Sequence, residues 1–350
     1  MPADISSVHI NRALASLSVE LMTKSEQYLV PRICARRRVK NVSDSFFRYG
    51  RESAKVSPSG SNQRFLRSVT APGSPAPIVE RTVDDGTYFC HRYSLRELVT
   101  DAEIQRSDAP LEPLQDAARV LHARIMNDME AVAGRIICDA DNYPAAGKTT
   151  LTTGANGTSW ARASYAGTGS DPLEDIATAR AYVEAAIQRE ANMLAMSRPT
   201  LYALSDHTDL SGILQYTDST FLERGFALPP VFRGLLVASG SAVYDSAAEG
   251  AAFSGEYLFH DEGEGTNEDV AIVCYKPPGG EIGVRGFSSF IWFDCADETT
   301  RQHGVSLRSY RDDSRRGWFV EAAATFDIQG GIVDSNNDFT GAYLIARTTV

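Results

Sequence analysis

The pattern of apolar and polar residues divides this chain into two unequal parts. From residue 24 to 105 there is no helical period and no long apolar run. Positions Phe89, His91, Tyr93 and Leu95 repeat instead with the two-residue period of a strand, and Thr87–Ser94 reads as one. Pro and Gly punctuate the stretch, most densely at Ala71–Pro77. A compact domain rarely holds a structureless segment beyond about 15 residues. The arginines and alternating apolar positions do not fit plain disorder. The segment is therefore expected to form extended arms and a long hairpin, ordered by neighbouring copies of the chain and adding little to its core.

A helical period takes over after Ser107. Leu111, Leu114, Ala118, Leu121, Ile125, Met129, Val132 and Ile136 follow one another at spacings of three and four. They predict a helix over about 110–140, with Pro110 in its first turn and a length of about 45 Å. A second helix is expected from Pro172, capped by Asp171, to about Met196, on the stripe Ile176, Val183, Ile187 and Leu194. A weaker stripe, Ile10, Leu14, Leu17 and Leu21, predicts an early helix ended by Pro31. Thr200–Leu204 reads as a short strand and Asp209–Tyr216 as a short helix. Strands are then expected at Phe232–Val237, Val270–Tyr275, Ser288–Phe293, Val305–Tyr310, Trp318–Ile332 and Ala342–Arg347. Arm, hairpin, long helix and mixed elements in that order make an α+β protein.

The length of 350 residues is enough for about two domains. No apolar run approaches the roughly 18 residues of a membrane span. No basic segment leads into an apolar one at the start, so the expected compartment is a cytoplasm. The five cysteines, Cys34, Cys90, Cys138, Cys274 and Cys295, are widely spaced and suggest neither a zinc site nor a disulfide framework. Charge changes the picture more. The net charge is −11, yet Lys24–Arg67 holds eleven basic residues against three acids, a net of +8 that leaves −19 elsewhere. A basic arm on an acidic body suits contact with another copy. Contact with enclosed nucleic acid and simple solubility are the competing readings. Arg36, Arg37, Arg38, Arg48, Arg51, Arg64 and Arg67 are the candidate subunit-contact residues.

Candidate chemistry is sparse. Gly147–Thr150 resembles the end of a phosphate-binding loop, but the position that needs the first glycine is Asn142. Asp334–Asp338 resembles the start of a calcium loop without its glycine or its closing Glu, and reads as a turn. Asp261, Glu262, Glu264, Glu268 and Asp269 form the densest acidic run. Such a run is either a solvated loop between strands, able to line a pore or a symmetry axis, or a cation site. His207 lies near Asp206 and Asp209, where a capped turn is the simpler reading. No catalytic constellation stands out, and no cofactor or metal is expected.

The order of features resembles the major capsid proteins of tailed bacteriophages, with the Hong Kong 97-like fold. The residues that carry the resemblance are Leu17–Ile33, Ser43–Arg51, Tyr88–Pro110, Arg198–Leu204 and Ser309–Ile328 with the last strand. It implies an N-terminal arm over 1–45 and an extended loop, a β-hairpin, over 46–95. It implies a peripheral domain over 96–199 and 306–350, with a spine helix at about 110–140, and an axial domain over 200–305. The implied function is structural: pentamers and hexamers of one chain form an icosahedral virion head around double-stranded DNA, without sequence-specific binding. Separate scaffolding, portal and decoration proteins would be partners, no membrane would be involved, and assembly would take place in a host cytoplasm. Scaffolding would be a separate protein, or this chain a processed form. An encapsulin-like nanocompartment shell is the alternative of the same fold, and a soluble α+β enzyme the alternative of another class.

Overall fold

The computed structural model describes residues 28–49, 72–73, 83–107, 112–152, 157–160, 169–187, 189–210, 231–247, 250, 252, 254–260, 268–277, 286–292, 305–330 and 338–349. The chain enters through a single helical turn, α1 (Val30–Ile33), and two strands, β1 (Ala35–Val39) and β2 (Ser43–Tyr49). Strands β3 (Val83–Phe89) and β4 (His91–Thr100) follow, with only Cys90 between them. Next come α2 (Asp101–Arg106), α3 (Pro113–Ile137), β5 (Lys148–Thr150), α4 (Pro172–Ile187), β6 (Met193–Ser197) and α5 (Arg198–Asp206). The rest is β7 (Val231–Phe232), β8 (Leu235–Gly240), β9 (Val243–Asp245), β10 (Gly255–Tyr257), β11 (Val270–Cys274), β12 (Ser288–Trp292), β13 (Val305–Asp312), β14 (Gly317–Gln329) and β15 (Ala342–Ala346).

Two sheets carry the architecture. The first runs β1-β12-β14-β13, with β4 paired along β14. Strand β14 is its hub, because its 13 residues bond β13, β12 and β4 in antiparallel register. Every second residue, Val320, Ala322, Ala324, Phe326 and Ile328, joins the core on the side where α3 packs. The second sheet runs β5-β15-β11-β6-β8-β7. Its centre, β6, β11 and β15, is buried at every residue. Ala195, Ile272 and Leu344 reach the core shared with α3, while Leu194, Val273 and Ile345 meet α4 and the segment around Trp160. Strands β5, β6 and β15 share a sheet with β8 and β11, and β12 pairs with β14.

Several expectations change. Residues 28–34 are not an arm without a core: Tyr28, Leu29, Val30, Ile33 and Cys34 lie inside the main core. Pro31 occupies the first turn of α1, where its missing N–H costs nothing, and the helix it was expected to end lies outside the described residues. The helix expected at 110–140 spans Pro113–Ile137, about 37 Å, with Pro113 in its first turn. The short α2 ahead of it escaped the apolar pattern. A capping box starts it, with Thr100 and Glu103 each bonding the other's backbone N–H.

The second helix stops at Ile187 rather than near Met196. Met193–Ser197 pairs on both sides as a central strand. A short apolar run fits either structure, and pairing on both sides decides it. Thr200–Leu204 is likewise helix, not strand, because Pro199 sets the first turn of α5. Phe232–Val237 is two strands: Arg233 and Gly234 take φ of 50° and 80° and fold β7 back onto β8. Asp209–Tyr216 lies outside the described residues beyond Leu210. The early stripe at 10–21 also lies outside them.

Gly134 marks the closest approach of α3 to its surroundings. A Cβ there would sit 2.7 Å from the backbone oxygen of Leu258. Alanine in place of glycine normally stabilises a helix by about 1 kcal/mol. Here the contact is with a carbonyl that cannot rotate away, so Gly134→Ala is expected to lower stability by about 1–3 kcal/mol. Denaturant midpoints of the two proteins check the sign.

Candidate functional site

The root of the N-terminal arm is built on a polar clamp. A single helical turn exposes all its backbone N–H and C=O groups at its ends, and burial makes each of them costly to leave unbonded. Glu130 of α3, fully buried, accepts the Leu29 N–H at 2.8 Å and the Val30 N–H at 3.0 Å. At the other end Lys276 donates from Nζ to the carbonyls of Arg32, at 2.5 Å, and Pro31, at 3.3 Å. A carboxylate at the start of the turn and an ammonium at its end also match its dipole. Tyr28 adds a bond from its hydroxyl to Asn127 Oδ1 at 3.0 Å. Burial pushes the Glu130 carboxyl up to about 7, and the two N–H donors pull against that shift. Burial likewise pushes the Cys274 thiol up to about 12 and lowers Lys276. Neither clamp residue was singled out in the sequence. The signal for Glu130 was its place among Met126, Met129 and Ala133 on the buried face of the helix.

Arg36, Arg37 and Arg38 follow directly, on β1. The strand pairs in parallel with β12, with Arg37 opposite Phe290. Arg36 and Arg38 are exposed on one side, and Ala35, Arg37 and Val39 are half-buried on the other. Arg48 lies on β2 in register with Asp84 of β3. Arg51, Arg64 and Arg67 lie outside the described residues. The β2–β3 hairpin has a small core of its own, in which Tyr88 and Cys90 meet Val39, Val42 and Phe46. Its root is tied to the first sheet, where Asp327 accepts the Phe89 N–H at 3.0 Å. Phe89 itself is 53% exposed and meets His91 edge-on at 4.8 Å.

The acidic run divides. Asp261, Glu262 and Glu264 lie outside the described residues. Glu268 and Asp269 are internal fasteners of the chain's last residues. Glu268 accepts from Arg347 Nε at 2.5 Å. Asp269 accepts from Ser197 Oγ at 2.9 Å and from the Thr349 hydroxyl, and its carbonyl accepts the Thr348 N–H at 3.0 Å. Thr348, fully buried, bonds Thr200 at 2.6 Å and holds the Trp160 N–H at 2.8 Å. Among the described residues no group of three or more His, Cys, Asp and Glu is arranged to hold a metal ion.

His207 has the neighbours of a catalytic triad without its proton arrangement. Its Nε2 is 3.2 Å from Ser170 Oγ, and its Nδ1 is 3.7 Å from Asp209 Oδ2. The Asp209 N–H, however, points at Nδ1 at 3.3 Å, which makes that nitrogen an acceptor. The ring proton is then on Nε2 and is donated to Ser170, whose own proton goes to the Ser159 carbonyl at 2.8 Å. A serine nucleophile needs the opposite tautomer. Burial also lowers the pKa of His207, which is 2% exposed. The cluster ties Ser159 and Ser170 to His207 at the end of α5. Sequence spacing gave no hint of Ser170. Lys148 is equally structural: it starts β5 and donates to the Ala140 carbonyl at 2.7 Å. Cys34, Cys90, Cys138 and Cys274 are buried and not joined to one another by disulfides.

No protein-family model matches the sequence, and no curated protein matches it. Solved structures do. A phage-related protein from Bordetella bronchiseptica superposes with a TM-score of 0.61 at 16% identity, over 97% of this chain and 98% of that one. The capsid structure of cyanophage P-SCSP1u gives 0.53 at 12% identity, over 91% of this chain and 87% of that one. The holo-encapsulin complex of Synechococcus elongatus gives 0.51 at 9% identity, also over 91% and 87%. The fold of this chain, with its long helix, sheet-borne hairpin and second sheet, is that of Hong Kong 97-like capsid proteins.

The Asp269 side chain joins Ser197, the last residue of β6, to Thr349 of the chain's tail. Asp269→Ala is expected to cost about 1–3 kcal/mol, because buried Ser197 loses a charged acceptor and Thr349 loses its tie. Glu268→Ala removes one carboxylate from a half-exposed arginine and is expected to cost about 1 kcal/mol or less. Chemical denaturation of both variants tests the ranking.

Proposed function

We propose that this chain is the major capsid protein of a tailed bacteriophage, forming the closed shell of the head. The observation that carries the reading is end-to-end agreement of fold with a phage capsid and with an encapsulin shell, over 91% of the chain in each case. The unevenness of charge supports it. A +8 segment on a −11 chain favours contacts between copies, and the acidic remainder disfavours tight binding of the enclosed DNA. The role is structural rather than enzymatic, which fits the tautomer of His207.

In this reading 96–199 and 306–350 form the peripheral domain, with α3 as its spine, and 200–305 forms the axial domain. The hairpin over 46–95 is the extended loop, and 1–45 the arm. Head-to-tail contacts of one chain close into rings, and rings of five and six close a shell. Arg36, Arg37, Arg38, Arg48, Arg51, Arg64 and Arg67 are the residues we assign to contact with acidic surface of a neighbour. Assembly belongs in a host cytoplasm, with separate scaffolding, portal and decoration proteins as partners. An encapsulin-like compartment is the second reading, favoured by the match to the Synechococcus shell. Co-purification of a single cargo enzyme inside the particles separates it from a DNA-filled head.

Electron microscopy and light scattering of the purified protein test assembly. Shells, tubes or six-fold rings are expected, with or without a co-expressed scaffold. A monomer that stays monomeric at high concentration and with its neighbouring scaffold gene product would sink the reading. Reversing four charges, Arg48→Glu, Arg51→Glu, Arg64→Glu and Arg67→Glu, is expected to abolish shells while leaving circular dichroism and the melting temperature nearly unchanged.

A further inference from the structure

The clamp at the arm root is more than a fastener. Docking of Tyr28–Cys34 is what buries Glu130, whose partners within hydrogen-bond reach are the Leu29 and Val30 N–H groups. If the arm root lifts away, the carboxyl returns to water. The same movement frees Lys276 from the carbonyls of Pro31 and Arg32, and Leu29 from its contact over Gly240 of β8. One local opening therefore detaches the arm from the spine helix and from the second sheet together. We propose that Glu130 makes the arm root a proton-linked latch, closed more tightly in acid and loosened as pH rises.

The sign follows from which state holds the proton better. Docked, the carboxyl titrates at about 7, against 4.5 for an ordinary glutamate in water. The docked state thus binds the proton more strongly, and acid favours it. Its advantage is complete below the undocked value and is lost as pH rises through the docked one. Between pH 5.5 and pH 8 the ratio of docked to open arm root falls by about thirtyfold. Cys34 of the arm root and Cys274 of β11 are both pushed up by burial and stay protonated across this range. Tyr28 and Asn127 are polar neighbours on the arm and the helix. Lys276 is flanked by Arg32 and Arg36, and burial lowers it, so it is the one other group that needs a control.

This inference goes beyond the shell reading and does not depend on it, because the latch is internal to one subunit. Hydrogen exchange read by mass spectrometry, corrected for the intrinsic pH dependence, gives the opening constant of the Leu29 and Val30 amides. In the unmodified protein opening is expected to rise about thirtyfold from pH 5.5 to pH 8. In Glu130→Gln the rise is expected to vanish, and in Lys276→Met it is expected to persist. Equal opening at both pH values in the unmodified protein would overturn the latch. So would a slope retained by Glu130→Gln or lost in Lys276→Met. A slope shared equally by the amides of β11 and β15 would mark global unfolding and overturn it as well. The unmodified profile stands alone if either variant fails to fold.

Discussion

The structure depends on satisfying one buried helical turn. Val30–Ile33 sits between the long helix and the second sheet, with Leu29 and Ile33 almost wholly out of water. A turn this short satisfies few of its own backbone groups, and nothing apolar can do it in their place. Glu130 takes its first N–H groups and Lys276 its last carbonyls. These two residues lie on α3 and just after β11, so the clamp stitches the two layers together through the arm. It also fixes where β1 begins. The Ala35 N–H bonds the Phe287 carbonyl, and the strand of arginines is laid along β12 from there.

The second constraint is room for the helix on the first sheet. Strand β14 offers Ala322 and Ala324 toward the core, and α3 offers Ala117, Ala118, Ala133 and Gly134. Small side chains let the helix and sheet approach closely, and the larger Ile125, Met129 and Phe326 fill the space around them. The other side of β14 carries charge instead. Glu321 holds Arg308 at 2.7 Å and Arg92 at 3.5 Å, which ties β13 and β4 across the central strand. Phe319 lies beneath the guanidinium groups of Arg96 and Arg315, at 5.0 and 5.5 Å. The longest strand is thus apolar and close-packed on one face and bridged by ions and rings on the other.

Charge does different work in different places. On β1, Arg36 and Arg38 are exposed, beside the small core of the β2–β3 pair. The acids at Glu268 and Asp269 turn inward and hold the chain's last strand and tail. Glu268 pairs with the Arg347 guanidinium and the Asp269 carboxylate takes two hydroxyl donors, so both are structural ties. The sequence run that looked most like an ion site therefore splits, with its described part committed to folding.

The α+β class, the long helix, the last strands and the basic segment were legible from the sequence, because a sustained period of 3.6 or 2 reports the one face each element buries. Ala118, Leu121, Ile125 and Met129 fell on the core face, as their spacing required. The shorter apolar runs were not legible. Met193–Ser197 and Thr200–Leu204 carry too few residues for a period to separate strand from helix. Their states were set by pairing between β8 and β11 in one case and by Pro199 in the other. The arm root was misread for a related reason. A polar residue in an apolar stripe looks like an interruption until the backbone it serves, 100 residues away along the chain, is brought against it. Local pattern determined which faces had to be buried, and only the tertiary structure decided which distant groups met there, since hydrogen-bond pairing across the fold leaves no period in the sequence.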